Sequence, residues 1–354
     1  MQFHVKRTLE GGDDIKGYEL PSWAFLVFLV DIVALIPLFL LFQYTFKLVY
    51  PVFAVVEDEN PPAYEPVPLD QSASTAEEGI TRNGFKPTNG QPRTVTSSFR
   101  AINRLLMANG GLKANFRGFF CYLAQMFLTS ILIGIFSGAL GRFFIPVATL
   151  LASLTLVQYS TAWVHIVISE PSPVHFWSRL PPFRRTFNAT WQAVAIFWFA
   201  SEVARFIPIL AALVLGIKMP TGGFNEPMDM DALGAGFFIK FAIVAIITLV
   251  TSVFVVVPAY VVLVRVQASL LPVEQSTIIP FDRSFEGKVE PEVVGGKGYA
   301  TVSDAWTTFS QTSWRRLLIL YIKMFCLSLA ATSFFVAVLV PQAVFIAKHS
   351  KEVR

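Results

Sequence analysis

The sequence predicts an all-α polytopic membrane protein, a bundle of about six transmembrane helices with short interfacial amphipathic helices. Three observations carry that reading. Hydrophobic residues make up 54% of the chain and charged residues only 15%, with mean hydropathy of +0.57, outside the usual range of soluble domains. Six apolar stretches reach the roughly 20 residues that a helix needs to cross a bilayer core. Lys and Arg also concentrate in alternate connections between those stretches, as expected of a chain that crosses repeatedly.

The elements follow in order. Residues 1–21 are polar, without the charged and apolar regions of a cleaved signal, so the apolar run that follows is expected to remain as a span. That first span occupies 22–50, apolar from Trp23 to Tyr50. Residues 51–97 form a Pro/Ser/Thr-rich loop, and 98–348 form a five-span membrane domain. Its spans are Phe119–Leu140, Phe143–Ile168, Trp191–Ile217, Phe237–Val264 and Leu317–Ile346, and residues 349–354 are a basic tail. Each span must be helical, because backbone polar groups in lipid have only each other to bond. Ahead of the second span, Phe99, Ile102, Leu105 and Leu106 share a face opposite Arg100, Asn103 and Arg104. The pattern predicts an interfacial helix from a Ser98 cap to Gly110-Gly111. Arg82 to Lys113, Arg179 to Arg185 and Arg265 to Arg316 load the odd-numbered connections with basic residues, which places those connections in the cytosol and both termini opposite.

The loop from Glu57 to Ser97 is nearly free of large apolar residues and is expected to be a disordered tether. It carries Pro61-Pro62-Ala63-Tyr64 among the acids Glu57, Asp58, Glu59 and Glu65. This is the PPxY pattern, in which a polyproline II turn docks on an aromatic groove of a WW domain. WW domains of HECT-type ubiquitin ligases read it, so the resemblance implies an adaptor or a substrate of such a ligase, with Pro61, Pro62 and Tyr64 as the partner-binding residues.

Glu202 and Arg205 lie near the middle of the fourth span, three residues apart and on one helix face. Asp31 in the first span is the natural third member of an intramembrane polar cluster. Two readings stand open. The pair is a structural ion pair that steadies the bundle, or it lines the path of a small-solute transporter or channel. Pro37, Pro208, Pro258 and Pro341 interrupt four spans. His165 at the end of the third span reads as a solvated interfacial residue. Trp23, Trp163, Trp177, Trp191 and Trp314 read as interface anchors.

No catalytic residues emerge. The sequence has no P-loop, nucleophile elbow, HExxH or dinucleotide fingerprint. Cys121 and Cys326 both fall in spans, which leaves no thiolate metal set, no metal site and no implied cofactor. A net charge of +4 gives nucleic-acid binding no support. A non-enzymatic integral protein of the endomembrane system or plasma membrane, with the lipid bilayer as its constant partner, is the expectation.

An internal repeat is also visible. Pro182-Phe183-Arg184-Arg185-Thr186-Phe187 and Pro280-Phe281-Asp282-Arg283-Ser284-Phe285 match as P-F-x-R-[TS]-F after the third and fifth spans. Ser98-Phe99-Arg100-Ala101 and Ser303-Asp304-Ala305-Trp306 echo one another ahead of the second and sixth. The unit would be a surface helix plus two spans, with the first span as an addition or a partner to the sixth. Through Val264-Arg265-Val266-Gln267-Ala268-Ser269-Leu270-Leu271-Pro272 and Pro280 to Phe285, the chain resembles six-span membrane proteins of fungi that have no assigned activity.

Overall fold

A computed structural model describes residues 17–19, 21–58, 94–217, 234–290 and 295–353. Among them, five helices are long and apolar enough to cross a membrane, and a sixth crossing is completed if a bent helix pair counts as one span. The first runs from Ser22 to Val56 as α1 (Ser22–Leu40), a π-helical stretch (Leu41–Val49) and α2 (Tyr50–Val56). The amphipathic α3 (Phe99–Ala108) follows. Next come α4 (Phe119–Leu140), the pair α5 (Ile145–Thr155) and α6 (Val157–Ile168), and α7 (Phe183–Val214). The fifth crossing joins α8 (Ala235–Thr251) and α9 (Val257–Ser269) through a π-helical turn at Ser252–Val256. The short α10 (Val302–Thr307) precedes α11 (Gln311–His349).

The two π-helical stretches have a common cause. Each ends just before a proline, Pro51 or Pro258, at the start of the next α-helix. Proline has no N–H and crowds the carbonyl four residues earlier, and a widened turn accommodates the lost bond. Pro37, Pro208 and Pro341 stay inside helices α1, α7 and α11. One sharp break lies at none of these prolines. It is the 59° bend between α5 and α6, where Leu156 takes φ −100° and ψ 20°, in the bridge region between helix and strand.

The chain divides into two compact units, 1–43 with 323–354 and 44–322. In the first, α1 lies antiparallel to the C-terminal part of α11. Trp23 meets Phe345 with ring centroids 5.3 Å apart, and Phe39 meets Phe335 at 6.1 Å. Beyond both helices, β1 (Gly17–Glu19) and β2 (Lys351–Val353) pair antiparallel. The expected partnership of the first span with the sixth is present within this unit.

In the second unit, α7, α9 and α10 enclose a buried cluster of Ala193, Val262, Val266 and Ala305. All seven residues of α2 are buried. At one end of the helices the first, third and fifth connections bond to one another. Asp58 N–H donates to the Pro280 carbonyl at 2.9 Å, Glu170 N–H to Ser276 at 2.9 Å, and Ile278 N–H to Ile168 at 3.0 Å. These odd-numbered connections, rich in arginine, build one polar cap.

Three sequence expectations change here. The first span and its loop do not meet at residue 50, because α2 continues the helix to Val56. The loop expected to be disordered over 51–97 is ordered at both ends: Glu57 and Thr96 are each only 2% exposed. Pro61, Pro62 and Tyr64 lie outside the described residues. The hexapeptide repeat is not a repeat of conformation either. Its first copy opens α7, with Pro182 ahead of the first helical residue and the Thr186 hydroxyl bonded to the Pro182 carbonyl at 2.9 Å. In the second copy the Asp282 carboxylate accepts the Ser284 N–H at 2.8 Å and the Glu286 N–H at 2.7 Å. Asp competes for backbone donors in this way and favours turns over helix. Phe285, Glu286 and Gly287 then follow with φ of 51°, 57° and 78°. The first copy has Arg184 in the place of Asp282 and continues as helix. By contrast, α3 forms as expected, with Ile102 and Leu106 buried and Arg100, Asn103 and Arg104 exposed.

Candidate functional site

Of the charges expected inside the spans, Glu202 and Arg205 form an ion pair within α7. Their side chains are unequally covered, 15% exposed for Glu202 and 46% for Arg205. The Arg205 guanidinium also lies 5.1 Å over the ring of Phe206. Asp31 has a different partner, accepting from Gln342 Nε2 of α11 at 3.3 Å in the other unit. The three residues therefore occupy two separate polar contacts.

The polar cap holds a second and far more buried constellation, centred on Glu57. The backbone leaves α2 at this residue, and its side chain is 0% exposed. Its carboxylate accepts the Val95 N–H, the Thr96 N–H at 3.1 Å and the Thr96 hydroxyl. Arg316, near the start of α11, completes the set with Nη1 3.5 Å from Glu57 Oε2 and Nη2 donating to the Glu57 carbonyl at 3.0 Å. A buried carboxylate is stable only with several donors and an opposite charge, and Glu57 has both. The contact fixes the last residues before position 59 and the first after position 93 against the same helix start.

Arg265, at the end of α9, is the neighbour of this clamp. Its guanidinium lies between two rings, 4.9 Å from the centroid of Phe285 and 5.3 Å from that of Phe309. It donates to Thr308 Oγ1 at 2.8 Å and to the Val55 carbonyl at 3.4 Å. Cation–π contact of this kind strengthens when water is excluded. The left-handed turn at Phe285 brings its ring to Arg265. A cavity of about 80 Å³ lies between the clamp and this turn, lined by Glu57, Asp58, Arg265, Asp282, Glu286 and Thr308 among others. Neither Glu202 nor Arg205 lines it.

Other residues differ from their sequence reading. His165 is not solvated. It is 3% exposed, and its Nε2 meets the Gln267 carbonyl at 2.9 Å. Trp163 is not an interface anchor, because its Nε1–H donates to the Tyr44 hydroxyl at 2.9 Å in the interior. Trp23, Trp177 and Trp191 are exposed.

No protein-family model, no curated protein and no solved structure matches the chain. What can be stated of its class rests on its own apolar helices, and these make it a multi-pass membrane protein.

Proposed function

We propose that the chain is a non-enzymatic membrane adaptor. In this reading it displays Pro61, Pro62 and Tyr64 in the cytosol to a WW-domain protein such as a HECT-type ubiquitin ligase, as adaptor or as substrate. It would act in the endomembrane system or at the plasma membrane, as one of the fungal six-span proteins that its sequence resembles.

The supporting observation is the Glu57 clamp. Glu57 and Thr96, on either side of the segment that carries the motif, are held together with Arg316. A motif on a chain anchored in a membrane meets a partner on the same membrane at a raised effective concentration. The arginine-rich face of the cap fits a cytosolic position for it.

The test is Tyr64→Ala in the full-length chain. Capture by an isolated WW domain should fall to background, and turnover in cells should slow, while the thermal unfolding midpoint is unchanged. Equal capture of the variant and the parent would remove the motif from the function.

A further inference from the structure

A second cavity in the polar cap has the makings of an anion site. It has a volume of about 420 Å³ and lies where the start of α4 meets the third connection, lined by Lys113, Arg117, Phe120, Glu170, His175 and Arg179 among others. Arg117 is set by a sharp turn. Gly118 takes φ 70°, and a Cβ there would sit 3.0 Å from Trp163 Cδ1. The Tyr44 hydroxyl, itself anchored by Trp163, donates to the Arg117 carbonyl. From that position the guanidinium extends into the protein and is only 9% exposed. Its Nη2 donates to the Ser169 carbonyl, while among the described residues its buried Nη1 has no hydrogen-bond partner.

Arg179 reaches the same serine from the other side. Its Nη2 donates to Ser169 Oγ at 2.7 Å and to Gln275 Oε1 at 2.9 Å. Two guanidiniums thus converge on one residue, and among the described residues neither forms an ion pair. Two like charges brought together with an unused buried donor are unfavourable unless something compensates, and arginine pairs of this kind suit phosphate oxygens. Among the described residues the only carboxylate in the lining is that of Glu170, which is exposed. One edge of the cavity is greasy: Phe120 is 75% exposed on the first turn of a membrane-spanning helix.

We propose that this cavity binds a phosphate group, held by Arg117 and Arg179 with Lys113 at its mouth. The group is either the headgroup of an anionic phospholipid, whose acyl chains would lie along Phe120 and α4, or a soluble phosphate. The site is independent of the loop that carries Tyr64.

The experiment uses the full chain purified in a zwitterionic detergent. It is titrated with short-chain phosphatidic acid, with short-chain phosphatidylcholine and with inorganic phosphate. Phosphatidic acid should bind and phosphatidylcholine should not. Arg179→Gln should weaken binding about tenfold or more, the value of a charge-assisted hydrogen bond. The exposed Lys113→Gln should weaken it by a smaller factor without touching the fold, so it decides the matter if the arginine variant fails to fold. Inorganic phosphate that competes at similar concentration would assign the site to a soluble phosphate, and failure to compete would assign it to lipid. Equal binding of the two lipids with no binding of inorganic phosphate, or parental binding by Lys113→Gln together with either parental binding or misfolding of Arg179→Gln, would overturn the proposal.

Discussion

Two ion pairs, Glu202–Arg205 in α7 and Glu57–Arg316 in the polar cap, invert the order in which their sequence context ranks them. The first is set in a run of apolar residues and looks buried. In the fold it is a pair on one helix, its arginine nearly half exposed beside Phe206, Ile209 and Leu210, which are exposed as well. The second begins in a polar, acidic loop and looks solvated, yet Glu57 is fully buried with three further donors on its carboxylate. Apolar flanks place a residue at a depth in the bilayer. They do not say whether protein covers it there, and long-range packing decides that.

The comparison breaks most visibly at Glu57. Glu57→Gln removes the charge opposite Arg316, which stays buried, and a buried pair missing one partner typically costs about 3–5 kcal/mol. Arg316→Met should cost less, because the carboxylate left behind retains the Val95 and Thr96 donors. Both should appear in thermal unfolding of the purified protein as lower midpoints, with the glutamate variant worse. Near-parental midpoints for both would mean that the clamp contributes nothing to stability.

The pair in α7 should respond unequally and more weakly. Glu202→Gln leaves Arg205 without its partner and should cost about 1.5–3 kcal/mol, the value of a hydrogen bond to a charged group. Arg205→Met loses the same contact. It also removes a cation whose placement at the centre of a membrane helix costs about 2.5–3.5 kcal/mol on insertion scales, so the two effects should nearly cancel. The readout is the yield of folded protein from membranes, ordered Arg205→Met above Glu202→Gln above Glu57→Gln. A severe loss from Arg205→Met would show that the arginine holds something besides Glu202.

How much of this was legible in the sequence follows from the range of the interactions. The spans were readable because composition alone determines them. The limits of α4 at Phe119 and Leu140 are marked by glycines with φ of 70° and 90° on either side. The amphipathic α3 was readable because its face is set by residues three and four apart. The cap was not. Arg316 meets Glu57 across 259 positions and His165 meets Gln267 across 102, and no local pattern announces a partner at that distance. Each therefore passes for a solvated polar residue at a span end. The hexapeptide failed for the opposite reason. Its matching letters hid one difference, Asp282 against Arg184, that redirects the backbone. Asp31 contacts Gln342 and Glu202 contacts Arg205, and the grouping of the three as one cluster rested on depth alone.

That aspartate provides the finest test of the comparison, because its partners are local where those of Glu57 are distant. Burial opposes ionisation of Asp282. Hydrogen bonds from the Ser284 hydroxyl and from the Glu286 and Ser284 N–H groups, with Arg265 nearby, outweigh that and hold its carboxyl below the ordinary value of 3.8. A carboxyl whose pKa is lower in the folded than in the unfolded state binds fewer protons when folded. Its contribution to stability is therefore fully present above the unfolded value and fades as pH falls through the folded one. The turn at Phe285 should loosen only below about pH 4, the usual carboxylate range. In Asp282→Asn that acid-dependent part should be absent while stability at pH 7 drops slightly, since the group is largely solvated and its contacts stay within one turn. Unfolding midpoints measured from pH 3 to pH 7 check both points. An unchanged acid slope in Asp282→Asn would assign the acid sensitivity of the cap to another carboxylate.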